Sequence, residues 1–130
     1  MYSKFSFSPF SFFHIPQATE AQRQQQTRVE SPLHIVIVTF HLRDPSLAQE
    51  FLDFLHLGLD ITRDFKGCRH VEASVSEDKK AVHLYQKWVS RAHYDAYTQF
   101  RQQEGAMRPV MEKCCATPPI TIIHALQSSI

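Results

Sequence analysis

The sequence predicts an α+β domain in which four strands form one antiparallel sheet and helices cover one of its faces, in the order β-α-β-β-α-β. Three observations predict it. Two β-branched runs, LHIVIVTFHL at 33–42 and PPITIIHAL at 118–126, bracket the patterned part of the chain and read as strands. Between them, two alternating runs flank the polar tetrapeptide EDKK, which is the pattern of a hairpin. Each half also holds a stretch with apolar residues at helical spacing.

That pattern begins only at residue 32. Ahead of it, KFSFSPFSFFHIP crowds five of the ten phenylalanines into the first 13 residues, and a glutamine-rich polar stretch follows. Pro9 and Pro16 interrupt the Phe/Ser alternation. Residues 1–31 therefore read as an N-terminal extension, most simply a flexible one. Their phenylalanines leave open an arm that packs on a partner subunit. The lack of an acid before Glu20 leaves open an organelle-targeting peptide, although no arginine precedes Arg23. The domain proper is residues 32–130.

Within it, 33–42 is the first strand. Asp44 is placed to cap a helix with Pro45 at its first position. Leu47, Phe51, Phe54, Leu55 and Leu59 give that helix one apolar face, to about Arg63. Gly67 breaks it. CRHVEASVS (68–76) and AVHLYQKWV (81–89) are the second and third strands. Ser90 is an N-cap residue, and RAHYDAYTQFRQQ continues as a helix that Gly105 interrupts. MRPVMEKCCA adds a short helix, and 118–126 closes the chain as the fourth strand. The order is the split βαβ, ferredoxin-like arrangement.

At 130 residues, 43% hydrophobic and 21% charged, the chain is sized for one domain with a real core. A net charge of +1 with scattered lysines and arginines argues against a nucleic-acid partner. No apolar run approaches the roughly 18 residues of a membrane helix, and no signal-peptide layout opens the chain. The expectation is a cytoplasmic protein with no membrane partner. Cys68, Cys114 and Cys115 form an odd set without metal-like spacing and read as reduced thiols.

The first and fourth strands are apolar on both sides, so the sheet face away from the helices needs a cover. A homodimer pairing the two sheets would supply it. The polar face of the hairpin carries His70, Glu72 and Ser74 against His83, Tyr85 and Lys87. Two histidines and a glutamate invite a metal, but no helical His-x-x-x-His pair accompanies them. The expectation there is a dimer contact and no metal.

Four pieces then stand in a telling order: VTFHLRDPSLAQEF at the end of the first strand, Gly67-Cys68 opening the second, Trp88-Val89-Ser90 ending the third, and TPPITII entering the fourth. From Leu33 to Leu126 the chain resembles the antibiotic biosynthesis monooxygenase family. The resemblance implies a dimeric α/β barrel and a pocket between sheet and helices. The family includes cofactor-independent monooxygenases of aromatic polyketides, haem-degrading members and members acting on sugar phosphates or signals. Nine residues after the tryptophan, where members often carry histidine, this chain has Tyr97, a poor base near neutrality. Val38 stands near the place of an asparagine found in the haem-degrading members, so haem degradation is set aside.

A hairpin turn centred on Asp78 and Lys79 would put Arg69, Val71, Ala73, Val75, Val82, Leu84, Gln86 and Trp88 on one face. Arg69, Gln86 and Trp88 then share one end of it, an apolar place with a few polar groups, as ligand pockets are. Trp88 reads equally well as a core plug or a pocket wall. On the second helix, His93, Ala96, Tyr97 and Phe100 make one face, and Tyr94, Tyr97, Thr98 and Arg101 its neighbour. Tyr97 belongs to both.

Joined to the resemblance, these residues point to a homodimeric monooxygenase of small aromatic or quinone-like metabolites that needs no cofactor. His93 would be the base and Tyr97 a donor. Trp88, Arg69, Gln86, Tyr94 and Arg101 would bind the substrate, an arginine holding its anion. The alternative is a non-catalytic dimeric α/β-barrel module that binds a small hydrophobic ligand. A sugar-phosphate isomerase would need several inward basic groups, of which only Arg69 and Arg101 can be placed.

Overall fold

The structure is a computed structural model that describes residues 32–128. The N-terminal extension expected at residues 1–31 lies outside the described residues. Strand β1 is His34–His41, β2 Cys68–Val75, β3 Ala81–Trp88 and β4 Thr121–Leu126; helix α1 is Ala48–Asp64, α2 Arg91–Glu104 and α3 Met107–Cys114. The strands form one sheet in the order β2-β3-β1-β4, with each neighbouring pair antiparallel. This is the expected ferredoxin-like sheet, with a third, short helix added before β4.

The ends of the elements follow from local chemistry. Asp44 accepts the Ser46 backbone N–H at 2.9 Å, which holds its carboxyl below the usual carboxylate range. The cap starts a 3-10 turn over Pro45–Leu47, and α1 proper begins after it at Ala48. Gly105 ends α2 in the left-handed conformation that glycine adopts without a Cβ penalty. The hairpin turn is closed by Asp78, whose carboxylate accepts from Ser76 Oγ at 2.7 Å and from the Lys80 N–H at 2.9 Å.

Register then decides which side chains meet. Val36, Val38 and Phe40 of β1 pair with Gln86, Leu84 and Val82 of β3. Since alternate residues share a face, these point together at the helices. They pack with Phe51 and Leu55 of α1, with Trp88, and with Tyr94 of α2 in one core. Phe51, Leu55, Leu59 and Thr62 are the buried stripe of α1, so Thr62 takes a position that spacing alone would reserve for an apolar residue.

Two expectations are corrected. The run 118–126 reads as one strand, apolar on both sides. Strand β4 begins at Thr121, because Pro118 and Pro119 have no N–H for the ladder, and it is exposed along its whole length. It pairs only with β1, at the sheet edge. Arg69 was expected opposite Trp88. Instead Cys68 pairs with Trp88, and the register shifts between Cys68 and His70. This bulge carries Arg69 out of the shared face. No described helix is long and apolar enough to cross a membrane.

Candidate functional site

Between the sheet and the helices lies a cavity of about 680 Å³, within the range of small-ligand sites. Val38, Phe40 and Leu84 line its sheet side, Phe54, Leu55 and Leu59 come from α1, Tyr94 and Tyr97 from α2, and Met107 and Met111 from α3. The wall is thus largely apolar and partly adaptable, since methionine side chains repack easily.

Polar groups enter it at two ends. At the buried end stands Gln86, only 3% exposed. Trp88 Nε1 donates to Gln86 Oε1 at 2.8 Å. The indole N–H is donor only, so the bond fixes which end of the amide is which. No described residue accepts from the Gln86 amide nitrogen. Tyr94 lines the same region at 8% exposure, and no described group hydrogen-bonds its hydroxyl. Burial, followed by the neighbouring Tyr97 and Asp95, raises the Tyr94 phenol above its ordinary value, so it stays protonated and able to donate at neutral pH.

Beside them runs a closed hydrogen-bond ring. Arg101 Nε donates to Tyr97 Oη at 3.1 Å, and Tyr97 Oη lies 2.7 Å from Thr62 Oγ1. Thr62 Oγ1 in turn donates to the Gly58 carbonyl at 3.2 Å, which also accepts from Arg101 Nη2 at 3.0 Å. Because the Thr62 hydroxyl proton goes to Gly58, the Tyr97 proton goes to Thr62. A Cβ on residue 58 would lie 2.7 Å from Arg101 Nη2. The glycine, costly in a helix interior, is what lets the guanidinium rest on the α1 backbone. Glu104 takes the remaining Arg101 nitrogen at 2.7 Å.

At the solvent end, exposed Arg43, Arg108 and Glu112 join the lining. Arg43 donates to the Glu112 backbone carbonyl through Nε at 3.3 Å and Nη2 at 3.0 Å. Cys115 also lines the cavity, its thiol pushed up by burial.

Of the residues singled out in the sequence, Gln86, Tyr94, Tyr97 and Arg101 are brought together here. Three are not. Trp88 is fully buried behind the wall, its ring tilted against Tyr97 at 4.9 Å and edge-on to Tyr94 at 5.8 Å; it is a core plug that orients Gln86. His93 turns the other way. Ser90 caps α2 through the His93 N–H at 3.2 Å and also lies 2.7 Å from the ring Nδ1. The His93 ring lies so close over Gly67 that a Cβ there would come within 2.4 Å. Arg69, displaced by the bulge, borders a separate shallow hollow with Arg63 and Glu72.

Sequence reasoning missed Thr62, Gly58, Arg43 and Arg108. A threonine falling on the apolar stripe of α1 was a usable signal; for Arg108 no local pattern existed. A pair of histidines also escaped it: His34 Nε2 lies 2.9 Å from His124 Nδ1, with the His124 ring edge-on to Tyr94 at 5.4 Å. Among the described residues no group of three His, Cys, Asp or Glu could hold a metal ion.

Comparison with known proteins gives one family. The model described as antibiotic biosynthesis monooxygenase matches residues 33–108, more than half of the chain. A search of curated proteins gives no significant match. Among solved structures, a monooxygenase of Streptomyces coelicolor in complex with the ligand nanaomycin D superposes with a TM-score of 0.63 at 17% identity, over 76% of this chain and 90% of that one. A conserved protein of Methanosarcina mazei gives 0.65 at 14% identity, over 76% and 96%. A Mycobacterium tuberculosis protein gives 0.62 at 22% identity, over 75% and 99%. These likenesses establish the fold.

Proposed function

Because the chain belongs to the antibiotic biosynthesis monooxygenase family, we propose that its cavity binds a small phenolic or quinone-like aromatic and oxygenates it with molecular oxygen, without a cofactor. The observation that carries this reading is the Gln86 amide, buried against an apolar cavity with its N–H groups claimed by no described residue. A buried donor without an acceptor costs roughly 1–3 kcal/mol, a cost that a ligand oxygen would relieve. Tyr94 adds a second donor to the same region. Donors given to a ligand oxygen favour the ionised phenolate or enolate over its neutral form. That anion is the electron-rich species that reduces oxygen: one oxygen atom becomes the new ring carbonyl and the other leaves as water with the ring C–H and hydroxyl hydrogens, so phenol and O2 give quinone and water and the substrate supplies every electron. No imidazole lines the cavity among the described residues, so the substrate must be acidic enough to give its proton to water at the open end before its oxygen reaches Gln86.

The same missing imidazole favours a second reading, a module that binds such a ligand without turnover. Oxygen uptake separates the two. With naphthols, hydroquinones and anthrones as substrates, the enzyme reading expects protein-dependent oxygen consumption that Q86L and Y94F each lower by about tenfold or more. Saturable binding with no uptake above the uncatalysed rate leaves the binding module.

We also propose a homodimer. The sheet face away from the helices carries half-buried Ile37 and Tyr85 and Ile123, the last 47% exposed, and a second copy would bury them. Sedimentation of the wild type and of I123K tests this: a dimer for the first and a monomer for the second is expected.

A further inference from the structure

We propose that the substrate of this cavity is an aromatic acid, its ring held at Gln86 and Tyr94 and its carboxylate held at the open end by Arg108 and Arg43. The inference rests on the cavity being an aromatic-binding site and adds the charge and orientation of the ligand.

The observation is an imbalance. Three guanidinium groups and one carboxylate line the cavity: Arg43, Arg101 and Arg108 against Glu112. Arg101 is neutralised by Glu104 at 2.7 Å and is bound into the ring around Tyr97. The other two cations keep their charge. Arg43 spends two nitrogens on the Glu112 carbonyl, a neutral acceptor, and has no carboxylate partner among the described residues. Arg108 stands four residues before Glu112 on α3, yet no ion pair or hydrogen bond engages it among the described residues. Exposed cations at an apolar opening attract an anion that brings its own apolar body. A guanidinium matches a planar carboxylate through two parallel N–H bonds.

The buried end selects differently. Gln86 nitrogen and the Tyr94 hydroxyl are donors with no free cation beside them among the described residues, which suits a phenol or carbonyl oxygen. A ligand that satisfies both ends has an oxygen on one side of an aromatic body and a carboxylate on the other. A net charge of +1 gives the chain no overall field, so any preference for an anion is local to this opening.

The test compares naphthol with a hydroxynaphthoate whose carboxylate lies at the far end of the ring system from its hydroxyl, by titration calorimetry. The wild type is expected to favour the hydroxynaphthoate by about tenfold, the scale of one charge-assisted pair. That ratio is expected to fall to about one in R108E, an exposed position whose change leaves the core intact, and to shrink when salt is raised from about 0.1 M to about 1 M. Equal affinities in the wild type, or a ratio unchanged in R108E, overturn the aromatic-acid assignment while leaving the cavity an aromatic-binding site. Binding of neither compound overturns both.

Discussion

Trp88 and Gln86 sit two residues apart on β3, side by side on its helix-facing side, and the indole N–H donates to the amide oxygen at 2.8 Å. Both are buried. The tryptophan thus determines the orientation of a polar group it shields from water, and the amide presents its nitrogen to the cavity as a consequence. Replacing Trp88 by Phe leaves a void and an unsatisfied Gln86 oxygen together. Chemical denaturation is expected to show a loss of about 2–4 kcal/mol. Q86M leaves only the indole N–H unpaired and is expected to cost about 1–3 kcal/mol, while abolishing the donor at the end of the cavity. A W88F protein as stable as wild type would contradict this account of the pair.

The ring that joins Tyr97, Thr62, Gly58 and Arg101 behaves as a unit, because each hydroxyl both donates and accepts. Y97F and T62V are each expected to destabilise by about 1–2 kcal/mol. The double variant is expected to cost less than the sum by about 0.5 kcal/mol or more, since either single change already breaks the chain. Strict additivity in denaturant titrations would show that the two hydroxyls act separately.

Gly67 joins α1 to β2 at φ +94 with the His93 ring against it. G67A brings strained backbone and a steric clash at once, and a loss of about 2 kcal/mol or more is expected. H93A removes only the clash. The double variant G67A/H93A is therefore expected to regain part of the loss and not all of it, measured by thermal unfolding. Full recovery would assign the whole effect to the side chain.

What the sequence revealed and what it hid divide along physical lines. The strands, the hairpin, the Ser90 cap and the Gly105 stop were legible because each is written in neighbouring residues. Tyr94, Tyr97, Gln86 and Arg101 were found because period-two and period-3.6 patterns place them on inward faces. Arg69 was misplaced because one bulge residue changes every pairing beyond it, and bulges leave little mark on composition. His93 was misread because its helix spacing matched Tyr97 while its position in the first turn, beside the Ser90 cap, turned the ring toward Gly67. Arg108 and the His34–His124 pair join residues from distant parts of the chain, and no local pattern announces such meetings.

The His34–His124 contact makes a prediction about pH. At 2.9 Å one ring nitrogen must donate and the other accept, so the bond survives with one proton between them and fails when both rings are fully protonated. His124 titrates below its ordinary value of 6.5, chiefly through desolvation, then through Arg91 and His34, with Asp95 opposing. A histidine with a depressed folded value favours the neutral form in the native state. Its contribution is therefore complete above about pH 6.5 and is lost as pH falls from there through the folded value. Between about pH 7.5 and about pH 5, the unfolding temperature of the wild type is expected to fall more steeply than that of H124Q, which cannot take up the proton. The difference is expected to be modest, because His124 lies exposed on the edge strand where solvent screens it. Parallel profiles for the two proteins would show that the pair does not couple protonation to folding. A wild-type profile flatter than that of H124Q would reverse the sign argued here.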